Sequence, residues 1–309
     1  MKKEELKIVF MGTPEFAVES LQRLVEGNYN VVAVVTQPDR PVGRHASVLQ
    51  PSPVKQFAQS HNIPVLQPEK MKDSSFVEQL KTYQADLQVV VAFRMLPEIV
   101  WSMPRYGTFN VHAALLPQYR GAAPINWAVI NGETQTGVTT FFLDKNIDTG
   151  RIIMQRAFGI PDDANVEFVY EGLMHLGAQL CIDTVDALIA GDGNIGSFPQ
   201  QEPDDLKTAP KLFKENCQIN WEQPSKRIYD FIRGLSPYPG AWCDFEGTIL
   251  KIYQTEKTAS PCNCNSGIFE NREGKLLVST EDFWLEIKEL QLAGKKRLDA
   301  KSFLNGRKI

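Results

Sequence analysis

Leu6-Lys7-Ile8-Val9-Phe10-Met11-Gly12-Thr13-Pro14 begins with strand-forming residues and stops at a glycine, a threonine and a proline. An apolar run of this length, ended by turn residues, reads as a strand buried on both faces. Thr13 is expected to cap a helix with Pro14 in its first turn, because a hydroxyl satisfies an orphan N–H there and proline has none to lose. Phe16, Leu21, Leu24 and Val25 follow near helical spacing, and Val31-Val32-Ala33-Val34-Val35 is a second apolar strand. Strand, helix and strand between residues 6 and 35 predict a β-α-β unit, hence a parallel sheet. The unit resembles a mononucleotide-binding half, yet only Gly12 of the G-x-G-x-x-G fingerprint is present, which argues against a nicotinamide cofactor.

Outward from this unit the alternation continues. A helix is expected near Val54 to Gln59, a strand at Ile63 to Leu66, a helix over Ser74 to Tyr83 and a central strand from Asp86 to Phe93. Met95-Leu96-Pro97 then turns into another helix. In Phe109-Asn110-Val111-His112, strand alternation puts Asn110 and His112 on one face, about 6.5–7 Å apart. Two polar groups so placed can converge on one small reacting group, and an Asn and a His satisfied inside a core give the same pattern. Ile125 to Ile130 reads as helix, Gly137 to Leu143 as a strand leading to Asp148-Thr149-Gly150, Gly150 to Ala157 as another strand, and Val166 to Ala190 as a long amphipathic helix. His175 falls on a mixed face of that helix and is assigned a structural role. Residues 36–54 hold four prolines, Arg40, Arg44 and no periodicity, beyond the carboxyl end of a strand where open α/β sheets bind ligands. Arg44 is the expected anion contact.

At 309 residues, with 43% hydrophobic residues, the chain has the length of two domains. Residues 191–210, rich in Gly, Pro and Asp, read as a linker between a catalytic domain over 1–190 and a smaller one over 211–309. Beyond the linker come a helix near Ser225 to Gly234 and short strands around Ala241, Leu250, Ile268, Leu276 and Leu285. That spacing suggests a small β-barrel of the oligonucleotide-binding (OB-like) type. The expected fold is therefore α/β: an open, mostly parallel Rossmann-like sheet followed by a C-terminal barrel. The net charge of −4 conceals an asymmetry, with 16 Lys and Arg against 24 Asp and Glu in residues 1–205, and 17 against 13 in residues 206–309. A basic C-terminal part points to a polyanionic partner. The five cysteines, at 181, 217, 243, 262 and 264, fit no disulfide framework or zinc spacing, and no metal is expected. No apolar run approaches the roughly 20 residues of a membrane span, Val89 to Phe93 being cut by Arg94. The first residues lack a signal-peptide apolar region, so a cytoplasmic protein without membrane association is expected.

Asn110, His112 and Asp148 all fall at strand ends or in the following loops. Acyl transfer to an amine needs donors aimed at a developing oxyanion and a group that takes the amine's proton. Asn110 can donate through its amide, His112 can donate or relay a proton, and Asp148 can orient His112 and favour its charged form. No nucleophilic Ser or Cys motif occurs, so direct transfer is expected.

Asn110-Val111-His112, Leu115-Leu116-Pro117, Arg120-Gly121-Ala122-Ala123-Pro124 and Asp148-Thr149-Gly150 resemble the 10-formyltetrahydrofolate-dependent formyltransferases. Phe10 to Phe16, Thr36 to Arg44 and Leu235 to Trp242 are similar to the members of that family that act on methionyl initiator tRNA. The resemblance implies transfer of a formyl group from N10 of 10-formyltetrahydrofolate to the α-amino group of that tRNA. Asn110, His112 and Asp148 match the family's catalytic residues. Ala114, Leu115, Leu116 and Pro117 match its folate-binding Ser-Leu-Leu-Pro, with alanine replacing serine. One hydroxyl bond is worth about 0.5–1.5 kcal/mol, so activity is expected to survive that change. Arg94 departs from the family's glycine near the folate pocket, where it either crowds the pteridine or pairs with an acid. The resemblance also implies that the loop carrying Arg40 and Arg44 and the basic barrel engage the tRNA. Lys295-Lys296-Arg297, with Lys301 and Arg307-Lys308, form the best local cluster for phosphate. A monomer is expected. Glycinamide ribonucleotide and a nucleotide-linked amino sugar are rival acceptors, the first without a following barrel and the second without the Pro38 to Arg44 loop. An RNA-binding protein with an inactive α/β domain is the rival outside enzymes.

Overall fold

The computed structural model describes residues 1–42 and 48–307; Arg44 and Lys308 lie outside the described residues. In chain order the elements are β1 (Ile8–Gly12), α1 (Glu15–Glu26), β2 (Val31–Val35), β3 (Arg40–Val42), β4 (Val48–Gln50), α2 (Pro53–Ser60), β5 (Val65–Leu66), α3 (Ser74–Thr82) and β6 (Leu87–Val91). Next are α4 (Glu98–Trp101), β7 (Thr108–His112), β8 (Arg120–Gly121), α5 (Pro124–Ile130), β9 (Gln135–Phe142), β10 (Ile152–Gly159), α6 (Val166–Ala190) and β11 (Thr208–Ala209). The last are α7 (Ser225–Leu235), β12 (Ala241–Phe245), β13 (Thr248–Pro261), β14 (Phe269–Arg272), β15 (Lys275–Ser279), β16 (Phe283–Leu292), β17 (Leu298–Asp299) and α8 (Ala300–Asn305). They form two compact units, one of Met1–Arg120, Gly137–Phe158 and Glu171–Lys207, the other of Gly121–Thr136, Gly159–Tyr170 and Thr208–Ile309.

The first unit is built on a sheet of order β10-β9-β7-β6-β1-β2-β5. β1 is parallel to β2 and β6, β2 to β5 and β6 to β7, whereas β9 runs antiparallel to β7. Val9, Met11, Ala33, Val35 and Val90 on one face pack with Phe76, Val77 and Leu80 of α3 and Val100 of α4. Burial of each of these side chains other than Ala33 is worth about 1.5–3 kcal/mol. On the opposite face α6 lies against β7 and β9: a Cβ at Gly177 would sit 3.3 Å from Val111, and the Thr184 and Thr140 hydroxyls are 2.9 Å apart. His175 of α6 meets Glu19 of α1 at 2.5 Å on the surface.

Two local expectations are corrected. Thr13 does not cap α1, because the backbone is still extended at Pro14 and the helix begins only at Glu15. The Thr13 hydroxyl instead accepts from the Gln37 amide at 3.4 Å, joining the carboxyl ends of β1 and β2. The second correction concerns apolar runs, since α6 is long and apolar enough by length and composition alone to cross a membrane. Its Leu173, Ala178, Leu180, Cys181 and Val185 are buried. It is an apolar core helix because one side faces the sheet.

The second unit holds an antiparallel sheet of order β12-β13-β16-β15-β14, with β17 also on β16. This is the strand-rich C-terminal domain that the spacing predicts, and among the described residues β12 and β14 stand at the two ends of its sheet. Ile228, Ile232 and Leu235 of α7 fill its core with Leu250, Ile252, Leu276, Val278, Leu285 and Ile287. Residues 121–136 join this unit: Ile130 of α5 enters the same core, and Asn126 donates to the Gly234 carbonyl at 2.8 Å. Residues 159–170 join it through Arg233, which donates to the Ala164 carbonyl at 2.7 Å and to Asp230 at 2.8 Å. Arg233 is buried, and the Asp230 carboxylate supplies its counter-charge.

Burial pushes the thiols of Cys181 and Cys243 up to about 12, while Cys264 is exposed. Because the thiolate is the nucleophile, a maleimide at neutral pH is expected to label Cys264 first. Mass spectrometry should show one adduct on the native chain, none on Cys264→Ser, and five after unfolding.

Candidate active site

β7 carries the centre of the site. Its register sets Asn110 between Val90 of β6 and Phe141 of β9, and His112 opposite Thr139. Asn110, His112, Thr139 and Phe141 therefore share the face opposite to the one that α6 covers. The His112 ring is 6% exposed, and its Nε2 lies 2.9 Å from the carbonyl oxygen of Tyr119. A carbonyl can only accept, so Nε2 carries a proton and, in the neutral ring, Nδ1 holds the lone pair. Nδ1 is 3.7 Å from Asp148 Oδ2. That is an ion-pair separation, too long for a hydrogen bond. The Tyr119 carbonyl makes the hydrogen bond that orients the ring, and Asp148 contributes charge. Tyr119 was missed in the sequence because a backbone acceptor leaves no signature in residue type.

Asn110 Oδ1 is buried with no hydrogen-bond partner among the described residues. An orphaned amide oxygen costs about 1–3 kcal/mol. A buried amide end left open beside a histidine is what a bound substrate would satisfy, and either end of the amide can occupy it.

Asp148 adopts a left-handed backbone, φ 56°, which aspartate tolerates better than most residues. The turn then closes on β9. A Cβ at Gly150 would lie 1.6 Å from the Phe142 carbonyl oxygen, so only glycine fits there. Phe142 N donates to the Arg151 carbonyl at 3.0 Å, and Thr149 Oγ1 donates to Asp144 at 2.7 Å.

The segment Ala114 to Pro117 runs beside this centre and is held through its backbone. Thr139 Oγ1, fully buried, donates to the Ala114 carbonyl at 2.7 Å and accepts from Leu116 N at 3.1 Å. Gln155 Nε2 donates to the Leu116 carbonyl at 2.8 Å and to Thr139 Oγ1 at 2.9 Å. Neither Thr139 nor Gln155 stood out in the sequence, since both lie on strands where a polar side chain reads as surface. The Ala114 methyl is wholly buried, so a hydroxyl at this position would need a buried partner.

Among the described residues Arg94 pairs with no acid. It donates to the Glu69 carbonyl at 2.8 Å and to the Pro68 carbonyl, with its guanidinium 5.7 Å from the Phe93 ring. Burial lowers its pKa, and Nε is left without a partner among the described residues. Arg40 is exposed and donates to Gln37 at 2.5 Å. Next to it Lys55 and Gln67 hold the Asp39 carboxyl below its ordinary range and pin the strand entry. In the second unit Lys295, Lys296 and Arg297 are exposed in the turn from β16 to β17; Arg297 pairs with Glu289 and stacks 4.2 Å from the Tyr253 ring centre. The structure thus gathers Asn110, His112, Asp148 and residues 114–117 in one place within the first unit. Among the described residues no group of three or more His, Cys, Asp or Glu is placed to hold a metal.

A sequence profile described as "Formyl transferase" matches residues 6–185, and one described as "Formyl transferase, C-terminal domain" matches residues 211–308. The chain belongs to the formyl transferase family. A Parabacteroides distasonis protein named methionyl-tRNA formyltransferase is 58% identical over 316 residues, spanning 99% of this chain and 97% of that protein. The N-formyltransferase from Helicobacter canadensis, solved with folinic acid and dTDP-3-aminofucose, superposes with a TM-score of 0.66 at 21% identity, covering 91% of this chain and 98% of that one. HypX from Aquifex aeolicus in complex with tetrahydrofolic acid gives 0.65 at 19% identity, covering 96% of this chain and 46% of that longer one. At such identities these two structures establish a shared fold.

In this formyltransferase the Thr139 hydroxyl is the hub of the 114–117 backbone. Thr139→Val keeps the side-chain shape and leaves buried groups unpaired, each costing on the order of 1–3 kcal/mol. Its urea midpoint is expected to fall with an unchanged slope, and Thr139→Ser is expected to restore most of the loss. A valine variant as stable as the parent would show that the hub does not hold the segment.

Proposed function

We propose that the chain transfers the formyl group of 10-formyltetrahydrofolate to the α-amino group of methionyl initiator tRNA, forming N-formylmethionyl-tRNA and tetrahydrofolate for translation initiation. The carrying observation is His112 at the end of β7, with Nε2 committed to the Tyr119 carbonyl, Nδ1 facing Asp148, and the orphaned Asn110 Oδ1 on the same face. It occurs in a chain 58% identical along its length to a protein named for this reaction.

The folate co-substrate supplies the formyl carbon. The Ala114 to Pro117 backbone, with its carbonyls fixed by Thr139 and Gln155, forms the folate side of the site. The amine attacks the formyl carbon directly, and negative charge develops on the formyl oxygen. Turned about its last bond, the Asn110 amide presents Nδ2–H to that oxygen, and removing such a donor typically costs about 10²–10³ in rate. His112 Nδ1, the ring nitrogen with a lone pair, accepts the proton that the amine loses and returns it to N10 as the bond between N10 and the formyl carbon breaks, the Asp148 carboxylate stabilising the imidazolium in between. The ring is nearly sealed from water, which strengthens that charge interaction.

For the tRNA we assign Arg40 and Arg44 to the acceptor end and Lys295, Lys296 and Arg297 to backbone phosphates. We assign catalysis to the first unit and tRNA binding to the second, which holds residues 211–309 together with 121–136 and 159–170, in a cytoplasmic monomer.

Asn110→Ala and Asp148→Ala are each expected to slow single-turnover formylation of charged initiator tRNA by about 10² or more, with the melting temperature little changed. Wild-type rates in both would sink these roles. Equal or faster formylation of glycinamide ribonucleotide or of a nucleotide-linked amino sugar would sink the acceptor. Replacing Lys295, Lys296 and Arg297 by alanine is expected to weaken tRNA binding and flatten its dependence on salt by about 0.9 in log–log slope for each phosphate that is no longer neutralised. Folate affinity should stay the same.

A further inference from the structure

The segment expected to be a linker contains a side chain with an unusually complete set of partners. Gln200 Nε2 lies 2.8 Å from the Asp148 carbonyl oxygen and 2.8 Å from that of Gly150. Gln200 Oε1 accepts from Arg120 Nη2 at 2.7 Å and from Arg120 Nε at 3.1 Å. An amide has two N–H donors and two lone pairs, and all four are used. The orientation is chemically forced, because a guanidinium only donates and a carbonyl only accepts. Glutamate could take the Arg120 side and would repel the carbonyls, and asparagine is one methylene shorter.

Neighbouring contacts set Gln200 in place. Ile152 N donates to the Phe198 carbonyl at 2.8 Å and Phe198 N to the Ile152 carbonyl at 2.9 Å, so the 197–200 stretch runs antiparallel along the start of β10. Arg151 Nε donates to the Ser197 hydroxyl at 3.0 Å. Arg120 is itself held, its Nη1 2.5 Å from Glu202. The turn gripped by Gln200 is the one in which Asp148 takes a left-handed conformation, a backbone state that surrounding contacts must maintain.

We infer that Gln200, fixed by Arg120, is a positioning residue that holds the Asp148 turn so that the carboxylate stays at ion-pair distance from His112. The inference rests on the reading that Asp148 serves the reaction. A displacement of about 1 Å at such a distance can cost roughly 10²-fold in rate.

The test uses the full chain with Gln200→Leu and the isosteric Gln200→Glu. Both are expected to lower kcat roughly 10- to 100-fold with KM for each substrate within about twofold, and to speed amide hydrogen exchange in the peptide covering residues 148–152. The double variant Asp148→Ala with Gln200→Leu should be no slower than Asp148→Ala alone, because a residue acting through Asp148 has nothing left to lose. Unchanged exchange in both single variants, or strictly additive losses in the double variant, would overturn the inference. Faster exchange combined with an Asp148→Ala enzyme of wild-type kcat would uphold the grip on the turn while refuting the catalytic role of Asp148, so the two failures are distinguishable.

Discussion

A nearly buried imidazole must satisfy its nitrogens from the protein, and here the hydrogen bond from His112 Nε2 to the Tyr119 carbonyl does so for one of them. To deliver that carbonyl, the chain leaving β7 must turn back over its own strand end. It does so with Tyr119 in a left-handed conformation, φ 59°, and the Tyr119 amide donates to the Lys207 carbonyl at 2.7 Å. The returning segment is 113–118, so the constraint that orients the histidine also lays the 114–117 backbone beside it. Thr139 and Gln155 then take up the polar groups that this path would otherwise bury unpaired.

The second nitrogen is treated differently. Nδ1 faces a carboxylate across 3.7 Å, close enough for attraction and too far for a proton to be shared. For the proton acceptance proposed for His112, a charge that waits nearby serves better than a hydrogen bond already made. Maintaining that separation calls for a rigid turn, and the glycine at 150, which closes against the Phe142 carbonyl, limits how the Asp148 loop can move.

Charge is distributed to match. The first part of the chain is acidic and the last third basic, but much of the basic charge is consumed locally. Lys226 and Lys257 meet Asp162, Arg307 meets Glu246, and Arg297 meets Glu289. Exposed pairs of this kind add little stability. They reduce the field available to a polyanion, so the exposed positions without an acidic neighbour matter more than the total of Lys and Arg.

Residue pattern alone determined a good deal of this protein. The strand-helix-strand opening, the parallel sheet, the strand-end placement of Asn110 and His112, the nearby Asp148 and a separate strand-rich C-terminal part were all legible, because periodicity reports which side of an element is buried. The motif from Asn110 to Gly121 and the Asp148-Thr149-Gly150 turn also point to the family. Tertiary structure alone decided that residues 121–136 and 159–170 belong with the C-terminal unit, that α1 starts past Thr13, and that a backbone carbonyl orients His112 in place of Asp148. It also decided that Arg94 caps two carbonyls. Each of these depends on which distant main-chain groups come to lie within hydrogen-bonding distance. Every residue carries the same carbonyl and nearly every residue the same N–H, so their pairing is written in the path of the chain and not in the identity of any one side chain.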